Sequence, residues 1–231
     1  MAASETRATL PLLLSLNAGY VDTAGFLSLQ GLFTAHVTGN FVTLGASLVL
    51  GTSGAVAKLL ALPVFCLVVI LIRLLSSALL RRNRPALKTI LGLKVVLLVC
   101  GAVLAIRLGP FPNGDAWQAV VTGMVLVAAM AVQNAVQRTH LGTAPPTTIM
   151  TGNTTQIMLD LADLLRGTAP EAAAVIRPRL RRLGLAVATF ASGCAAAACA
   201  YHYAGVWCFI LPPVLGVTGL ALTDGASGKA A

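Results

Sequence analysis

Residues 59–80 read LLALPVFCLVVILIRLLSSALL, a run in which Arg73 is the one charged side chain. A helix of about 20 apolar residues is long enough to cross the hydrocarbon core of a bilayer. Further apolar runs recur along the chain at 18–32, 95–106, 120–132, 183–200 and 206–222. Because these runs are continuous rather than alternating, they predict membrane-spanning helices and not strands.

The composition also places the chain in lipid. Of its 231 residues, 57% are hydrophobic and 10% are charged, and the mean hydropathy is +0.87. Soluble domains carry about 25% charged residues, which they need to cover a wetted surface. We therefore predict one all-α polytopic membrane domain over residues 1–231, with the lipid bilayer as a partner.

The basic residues predict which loops face the cytoplasm. The formal net charge is +9, and two short stretches between apolar runs, 81–88 and 177–182, each carry four Lys or Arg residues. Lys and Arg are enriched in the cytoplasmic loops of membrane proteins. This distribution predicts two cytoplasmic loops, and it argues against nucleic acid as a partner.

A short string occurs twice in the chain. Thr38-Gly39-Asn40 recurs as Thr151-Gly152-Asn153, and each copy is followed by a short helical stretch and then by a long apolar run. The segment 19–22 precedes the first copy at nearly the distance at which 131–134 precedes the second, so that Asn134 is the counterpart of Asp22. We interpret the chain as a duplication with halves 10–108 and 116–222.

The charges then orient the two halves. If the short segment 151–165 crossed the membrane, the arginines at 177–182 would face outside, against the positive-inside pattern. Pro145 and Pro146 before it also prevent a regular helix. We therefore predict that 38–50 and 151–165 are re-entrant half-helices among about six spanning helices, with both termini in the cytoplasm. Three spans per half give an inverted repeat, and an eight-span arrangement is the alternative.

Asp22 is the most informative single residue, because a carboxylate within a membrane helix is costly unless it is paired, protonated or in a cavity. It predicts a site that couples a proton or a cation, with His36 as a second candidate because histidine titrates near neutral pH. The alternative is structural, with Asp22 accepting hydrogen bonds from the start of a half-helix.

Lys58 and Lys94 lie within apolar runs. We expect both to extend to the membrane surface, and an intramembrane carboxylate is the alternative partner for Lys94.

The two half-helices are the predicted substrate site. Helix N termini leave N–H groups unpaired and carry partial positive charge, and two such ends facing each other would bind an anion. Thr38 and Thr151 are expected to act as N-caps. The alternative is that each string is only a turn and a cap. The candidate substrate-binding residues are Thr38, Gly39, Asn40, Asn134, Thr151, Gly152, Asn153 and Gln156.

Signatures of enzymes are absent from the sequence. His36, His140 and His202 are isolated from one another, and no Gly-x-Ser-x-Gly or phosphate-binding loop occurs. We expect no enzymatic activity, no metal site and no cofactor.

The strings Gly-Tyr-Val-Asp at 19–22, His-Val-Thr-Gly-Asn at 36–40, Gln-Asn at 133–134 and Thr-Gly-Asn at 151–153 together resemble the YoaK-type bacterial membrane proteins. This family carries a domain of unknown function over nearly its whole length. The resemblance implies a bacterial inner (plasma) membrane protein of about six spans, of a kind sometimes described as a permease. It implies no substrate.

Three hypotheses for the function follow. The first is a secondary transporter or channel for a small polar or anionic solute, with a homo-dimer as a candidate assembly. The second is a non-transporting protein, such as an assembly factor or a complex subunit, for which a dry core and a paired Asp22 are expected. The third is an intramembrane enzyme, for which a nucleophile in a cavity within reach of His36 or His140 is expected.

Overall fold

The computed structural model describes residues 2–227, with side chains from Thr9 to Thr223. All regular structure in this range is helical. Eight α-helices and a 3₁₀ segment at Gly205–Ile210 follow one another along the chain. The α-helices are α1 (Ala2–Ser28), α2 (Gly39–Leu50), α3 (Ala55–Arg81), α4 (Ala86–Leu108), α5 (Trp117–His140), α6 (Met150–Leu165), α7 (Pro170–Ala204) and α8 (Leu211–Ser227).

Four helical stretches in the described range are long and apolar enough to cross a membrane: Ala55–Arg81, Ala86–Leu108, Trp117–His140 and Pro170–Thr223. The last of these is interrupted by the 3₁₀ segment between α7 and α8, where Gly205 has a φ of 54°. The predicted first span, 10–32, corresponds to α1, which ends earlier, at Ser28. The predicted short helices 38–50 and 151–165 match α2 and α6 to within one residue.

The outer surface of the bundle is apolar. On α3, Leu67, Ile70 and Leu74 are each more than half exposed, and on α2 Val42 and Val49 are more than three-quarters exposed. Soluble proteins rarely expose such a large continuous apolar surface to water, because its hydration is unfavourable, whereas lipid tails can cover it. The surface therefore agrees with the apolar sequence in describing a multi-pass membrane protein.

One end of the bundle is organised by Asp115 in the loop between α4 and α5. Its carboxylate oxygens accept hydrogen bonds from the backbone N–H groups of Gly54 and Val56, both at 2.9 Å. The N-cap residue of α3 is Gly54, which has no side chain that could cap the helix. Asp115 takes this role and satisfies two N–H groups at the start of α3. In the same place Gln30 Nε2 donates to the carbonyl oxygen of Phe111 at 3.0 Å. The end of α1, the start of α3 and the α4–α5 loop therefore meet here, at what we call the Asp115 end.

The opposite end surrounds a cavity of about 650 Å³. Its walls come from the start of α1 at Leu10, the turn between α3 and α4 at Arg84, the end of α5 at His140 and the end of the described side chains of α8 at Thr223. We call this the Arg84 end. Since Val206, just beyond α7, packs on Gly109 at the Asp115 end, and 35 residues of helix are about 52 Å long, α7 begins toward the Arg84 end.

The two short helices both finish at the face from which their chain came. The chain arrives at α2 from the Asp115 end and leaves it there, where residues 51–54 join α3. It arrives at α6 from the Arg84 end and leaves it through residues 166–169 to the start of α7. Lys58 holds α2 in place, because its Nζ donates to Ser47 Oγ at 2.6 Å. Lys58 is 3% exposed, so the prediction that it extends to the membrane surface was wrong.

The helix packing has a regular pattern. Helix α1 packs on α7, as α5 packs on α3. Helix α1 packs on α8 as α5 packs on α4, and the short helices α2 and α6 each pack on the long helix that follows them. If α1 to α4 are exchanged for α5 to α8 in order, each of these packed pairs becomes another pair that is also packed.

The contact between α1 and α7 depends on two glycines. A Cβ atom at Gly193 would overlap the carbonyl oxygen of Leu16, and one at Gly19 would overlap the carbonyl oxygen of Phe190. Small residues let membrane helices approach backbone to backbone, which increases their van der Waals contact. Gly184, nine residues before Gly193 on the same helix, faces open space.

Gly193→Ala is expected to destabilise the protein by roughly 1–3 kcal/mol, because α1 and α7 must separate to admit one methyl group. Gly184→Ala is the matched control, and we expect it to stabilise α7 by up to about 1 kcal/mol through helix propensity. Thermal unfolding of the purified protein in detergent measures both effects. Equal shifts of the same sign would contradict the assigned α1–α7 contact.

Candidate functional site

The loop between α1 and α2, residues 29–38, which we call L1, folds back alongside α1 to the level of Asp22. Asp22 Oδ1 accepts hydrogen bonds from the backbone N–H groups of Thr34 and Ala35, each at 2.7 Å, and from the Thr34 hydroxyl at 3.3 Å. Asp22 Oδ2 lies 2.6 Å from His36 Nδ1. Since Asp22 precedes the last residue of α1 by six positions, L1 reaches about 9 Å into the bundle.

These contacts explain how a carboxylate is tolerated at this depth. Asp22 is 4% exposed, and its two oxygens together have four hydrogen-bonding partners. Hydrogen bonds to an ionised acceptor are about twice as strong as those between neutral groups, so they offset much of the desolvation cost. The sequence singled out Asp22 and His36 separately, and the structure joins them as one pair.

A second cavity, of about 270 Å³, opens beside this pair. Asp22 and His36 line it together with three phenylalanines and Cys194. The His36 ring lies edge-on to Phe33 and Phe190, with centroids 6.1 and 5.8 Å away. The His36 side chain remains 39% exposed, whereas that of Asp22 is 5% exposed.

Asn40, the second residue of α2, bonds back to the backbone of L1. Asn40 Nδ2 donates to the carbonyl oxygen of Phe33, and Asn40 Oδ1 accepts from the N–H of the same residue, both at 2.8 Å. Asn153 makes the corresponding bond to the carbonyl oxygen of Pro146 at 3.0 Å. The second bond has no counterpart there because proline has no N–H group.

The threonines do not have the capping role that we predicted. Thr38 has a helical backbone conformation and no side-chain cap hydrogen bond, and Thr151 lies within α6, which begins at Met150. A capping side chain needs an extended backbone to reach back to the helix N–H groups, and Thr38 lacks it. The residue of each Thr-Gly-Asn string that bonds the preceding loop is therefore its asparagine, not its threonine.

The loop between α5 and α6, residues 141–149, which we call L2, folds back along α5 in the same way. Asn134 Oδ1 accepts from the Thr148 hydroxyl at 2.7 Å. Gln133 Nε2 donates to Thr147 Oγ1 at 3.0 Å and to the carbonyl oxygen of Leu14 on α1 at 2.9 Å. Asn134 therefore holds L2 as Asp22 holds L1, in agreement with their alignment in the sequence.

Helix α1 gives the spacing between the two loops. L1 contacts α1 at Asp22, and L2 reaches α1 at Leu14 through Gln133. Eight residues of helix separate these levels by about 12 Å. Ala18, Val21, Val127 and Met130 are fully buried in the bundle, so the core around this level is largely apolar, with Asn17 as a buried polar side chain that donates to the carbonyl oxygen of Pro212 at 3.2 Å.

The structure does not bring the remaining candidate residues into one site. Thr38, Thr151 and Gly152 are exposed, and Gly39 lies against the Phe33 ring. Gln156 Nε2 donates to Asp160 Oδ1 at 2.7 Å. Helices α2 and α6 do not contact one another, because each packs on the helix that follows it. The two N termini therefore do not face each other across a shared pocket in this conformation.

Asp160 and Arg179 form an ion pair that the sequence analysis did not anticipate. The guanidinium binds the carboxylate through two hydrogen bonds, Nε to Oδ2 at 2.8 Å and Nη2 to Oδ1 at 2.6 Å. Asp160 is 1% exposed and Arg179 is partly exposed, so the pair fixes α6 on α7 at the bundle surface. The signal in the sequence was an acidic residue, Asp160, four positions after Gln156 in the same helix.

Lys94 is the other missed residue. It is 1% exposed on α4, and its Nζ donates to Gln133 Oε1 at 2.6 Å. It neither extends to the membrane surface nor pairs with a carboxylate among the described residues, so neither of the expectations for Lys94 was right.

The fold and its two polar loops define a multi-pass helical membrane protein with interrupted helices. The chain belongs to the family described as "Protein of unknown function (DUF1275)", which matches it over residues 10–222. It is 33% identical over 173 residues to the UPF0700 transmembrane protein YoaK of Bacillus subtilis (strain 168), covering 71% of this chain and 72% of that relative. No solved structure matches the chain. The family resemblance drawn from the motifs is therefore confirmed.

Asn40→Ala is expected to destabilise the protein more than Asn153→Ala. The first substitution leaves both the N–H and the carbonyl of Phe33 unpaired, whereas the second leaves only the carbonyl of Pro146. Each buried group left without a partner costs about 1–3 kcal/mol. Thermal unfolding of the two variants makes the comparison, and a larger loss in Asn153→Ala would contradict it.

Proposed function

We propose that the protein is a secondary transporter for a small polar or anionic solute in a bacterial plasma membrane. The observation that supports this best is the pair of loops, L1 and L2, held deep in the bundle from opposite ends by side chains at matching positions, Asp22 and Asn134. Interrupted helices in matching positions of two halves are typical of transporters with inverted repeats. A protein with a purely structural role has no need to break helices at this depth.

We further infer an inverted repeat with six spans, formed by α1, α3, α4, α5, α7 and α8, and two re-entrant helices. The packed pairs that interchange when the halves are exchanged support it. The lengths also support it, because 12 residues of α2 and 16 of α6 give about 18 and 24 Å, short of the roughly 30 Å hydrocarbon core. With the basic segments 81–88 and 177–182 in the cytoplasm, both termini lie there too.

The proposed coupling group is the Asp22–His36 pair. A proton on the carboxyl would weaken its hydrogen bonds to the N–H groups of Thr34 and Ala35, because a neutral acceptor binds less strongly than an ionised one. L1 would then be held less firmly against α1. Protonation is thereby linked to the position of the loop, which is what a coupled transporter requires.

The proposed solute-binding groups are the uncapped ends of α2 and α6. Neither helix has a side-chain cap hydrogen bond. At the start of α2 the N–H groups of Gly39, Asn40 and Phe41 donate to backbone carbonyl oxygens of L1 at 2.8, 3.2 and 3.2 Å, so a solute oxygen would replace these bonds. Among the described residues no such bond occupies the first turn of α6, whose N–H groups could bind a solute oxygen directly. Gly152 faces open space, which would let a solute approach the backbone of α6. In this proposal the two ends come together during the transport cycle.

A second candidate is a non-transporting membrane protein, such as a subunit of a complex. Two observations favour it: Asp22 is fully hydrogen-bonded, and the core between the loops is largely apolar. A transporter caught in a closed conformation would look the same, so the interrupted helices decide our preference.

We do not propose an enzyme. Ser76 Oγ lies 3.0 Å from His140 Nε2, and His140 lines the large cavity. Ser76 itself is fully buried and does not line that cavity, so a substrate there would not reach its hydroxyl. The contact joins α3 to α5.

The test is current across a solid-supported membrane that carries the reconstituted protein, with rapid exchange of small anions and polar metabolites. Wild type is expected to give a solute-specific current that Asp22→Asn abolishes. Asparagine keeps an oxygen for the Thr34 and Ala35 N–H groups, so the variant loses the charge but not the loop. Asp163→Asn, which changes an exposed acid on α6, is the matched control and should carry wild-type current.

Two results would count against the proposal. Gradient-driven current in Asp22→Asn would show that Asp22 does not couple transport. Silence of folded wild-type protein across the whole panel would favour the non-transporting candidate instead.

A further inference from the structure

Lys94 is a buried lysine, and the described side chains around it supply no negative charge. The described residues form the ion pairs His36–Asp22 and Arg179–Asp160, and Lys94 takes part in neither. Its one described acceptor is the neutral amide oxygen of Gln133, which uses one of three ammonium N–H groups. A buried ammonium without an anion is costly, so this arrangement lacks a partner charge.

The described side chains of the neighbouring helices do not supply that charge. Helix α4 packs on α3, α5, the 3₁₀ segment and α8. Their described side chains include basic groups at Arg73, Arg138 and His140 but no carboxylate in contact with α4. Asp22, on α1, is already bound to His36 and L1. A negative charge for Lys94 must therefore come from outside the described chain.

The large cavity at the Arg84 end lies about two turns of α4 away from Lys94. It is lined by Arg84, Lys88 and His140, and its wall includes Leu87 in the first turn of α4. Lys94 follows Leu87 by seven residues, so it lies on the same face of α4 and about 10 Å deeper. Ile90 and Leu91 are buried on the intervening turn. A basic cavity concentrates anions at its mouth.

L2 lies between the cavity and Gln133, the partner of Lys94. Its residues Thr143 and Ala144 line the cavity. Gln137 Nε2 holds the loop through the carbonyl oxygens of Leu141 and Ala144, at 2.9 and 3.1 Å. One turn deeper, Gln133 holds it through Thr147 while also binding Lys94. Gln137 Oε1 is buried and has no hydrogen-bond partner, so the polar path between cavity and lysine is not fully satisfied in this conformation.

We propose that Lys94 binds the negative charge of a small monoanion, such as a carboxylate, that enters from the cavity at the Arg84 end when L2 moves aside. The anion replaces Gln133 Oε1 on Lys94 Nζ and supplies the missing charge. This inference rests on the proposed transport function and narrows its solute to anions.

Anion-dependent thermal stability of the purified protein tests the site. The probes are sodium acetate and sodium nitrate, titrated against sodium gluconate, which is too large for the site and keeps the ionic strength constant. At least one probe is expected to raise the Tm of wild type in a saturable manner. Lys94→Met and Lys94→Gln should each weaken the apparent Kd by about tenfold or more, the value of one charge-assisted hydrogen bond.

Arg107→Gln is the matched control, because Arg107 is an exposed cation on the same helix, in the last turn of α4. It should keep the wild-type response to the anion. Removing an unpaired buried charge is expected to leave the fold intact or more stable, so the Lys94 variants remain testable. A wild-type response in either folded Lys94 variant, or no saturable response in wild type, would overturn the proposal.

The same variants in the current assay separate this inference from the transport proposal. Transport by wild type that persists in Lys94→Met would refute the site and leave the function standing. If wild type binds the anion in a Lys94-dependent manner but carries no current, the result would support the site and refute transport.

Discussion

The structure depends on the hydrogen bonds that Asp22 accepts from L1. A chain that leaves its helix within a bilayer exposes N–H and carbonyl groups that lipid cannot satisfy. Asp22 satisfies the N–H groups of Thr34 and Ala35, and Asn40 satisfies both backbone groups of Phe33. These bonds allow α2 to begin within the bundle. Lys58 then fixes the last turns of α2 through Ser47.

The second half meets the same requirement with neutral groups. Gln133, Asn134 and Gln137 hold L2 through amides, and the charge at this level is the ammonium of Lys94 instead of a carboxylate. An acid bound to a histidine therefore supports one loop, and a lysine bound to an amide supports the other. This difference gives the two loops different chemical surroundings.

The sequence predicted what local patterns can determine. Apolar runs and basic clusters predicted a multi-pass helical membrane protein, and the two Thr-Gly-Asn strings located α2 and α6 to within a residue. Asp22 and Asn134 lie at nearly the same distance along the chain from each string, and each accepts a hydrogen bond from the loop that follows its helix. The motifs also identified the family, which the match over residues 10–222 confirms.

What the sequence missed depends on contacts between distant segments. Three contacts join residues from different helices or loops, so no spacing within one helix predicts them. They are the Arg179–Asp160 pair, the Asp115 cap on α3 and the Lys94–Gln133 bond. The expectation that Thr38 and Thr151 cap their helices failed because capping depends on backbone angles that the residue type does not fix. Whether the ends of α2 and α6 meet depends on how the halves pack.

The central claim is that L1 and L2 enter the bundle from opposite faces and that α6 returns to the face it came from. Single cysteines at Asn113, Thr143 and Thr168, in a chain whose native cysteines are replaced, can be labelled with an impermeant maleimide in vesicles of each orientation. The account predicts that Thr143→Cys and Thr168→Cys react from one side and Asn113→Cys from the other. Labelling of Thr168→Cys from the same side as Asn113→Cys would mean that α6 crosses the membrane, and would contradict the account.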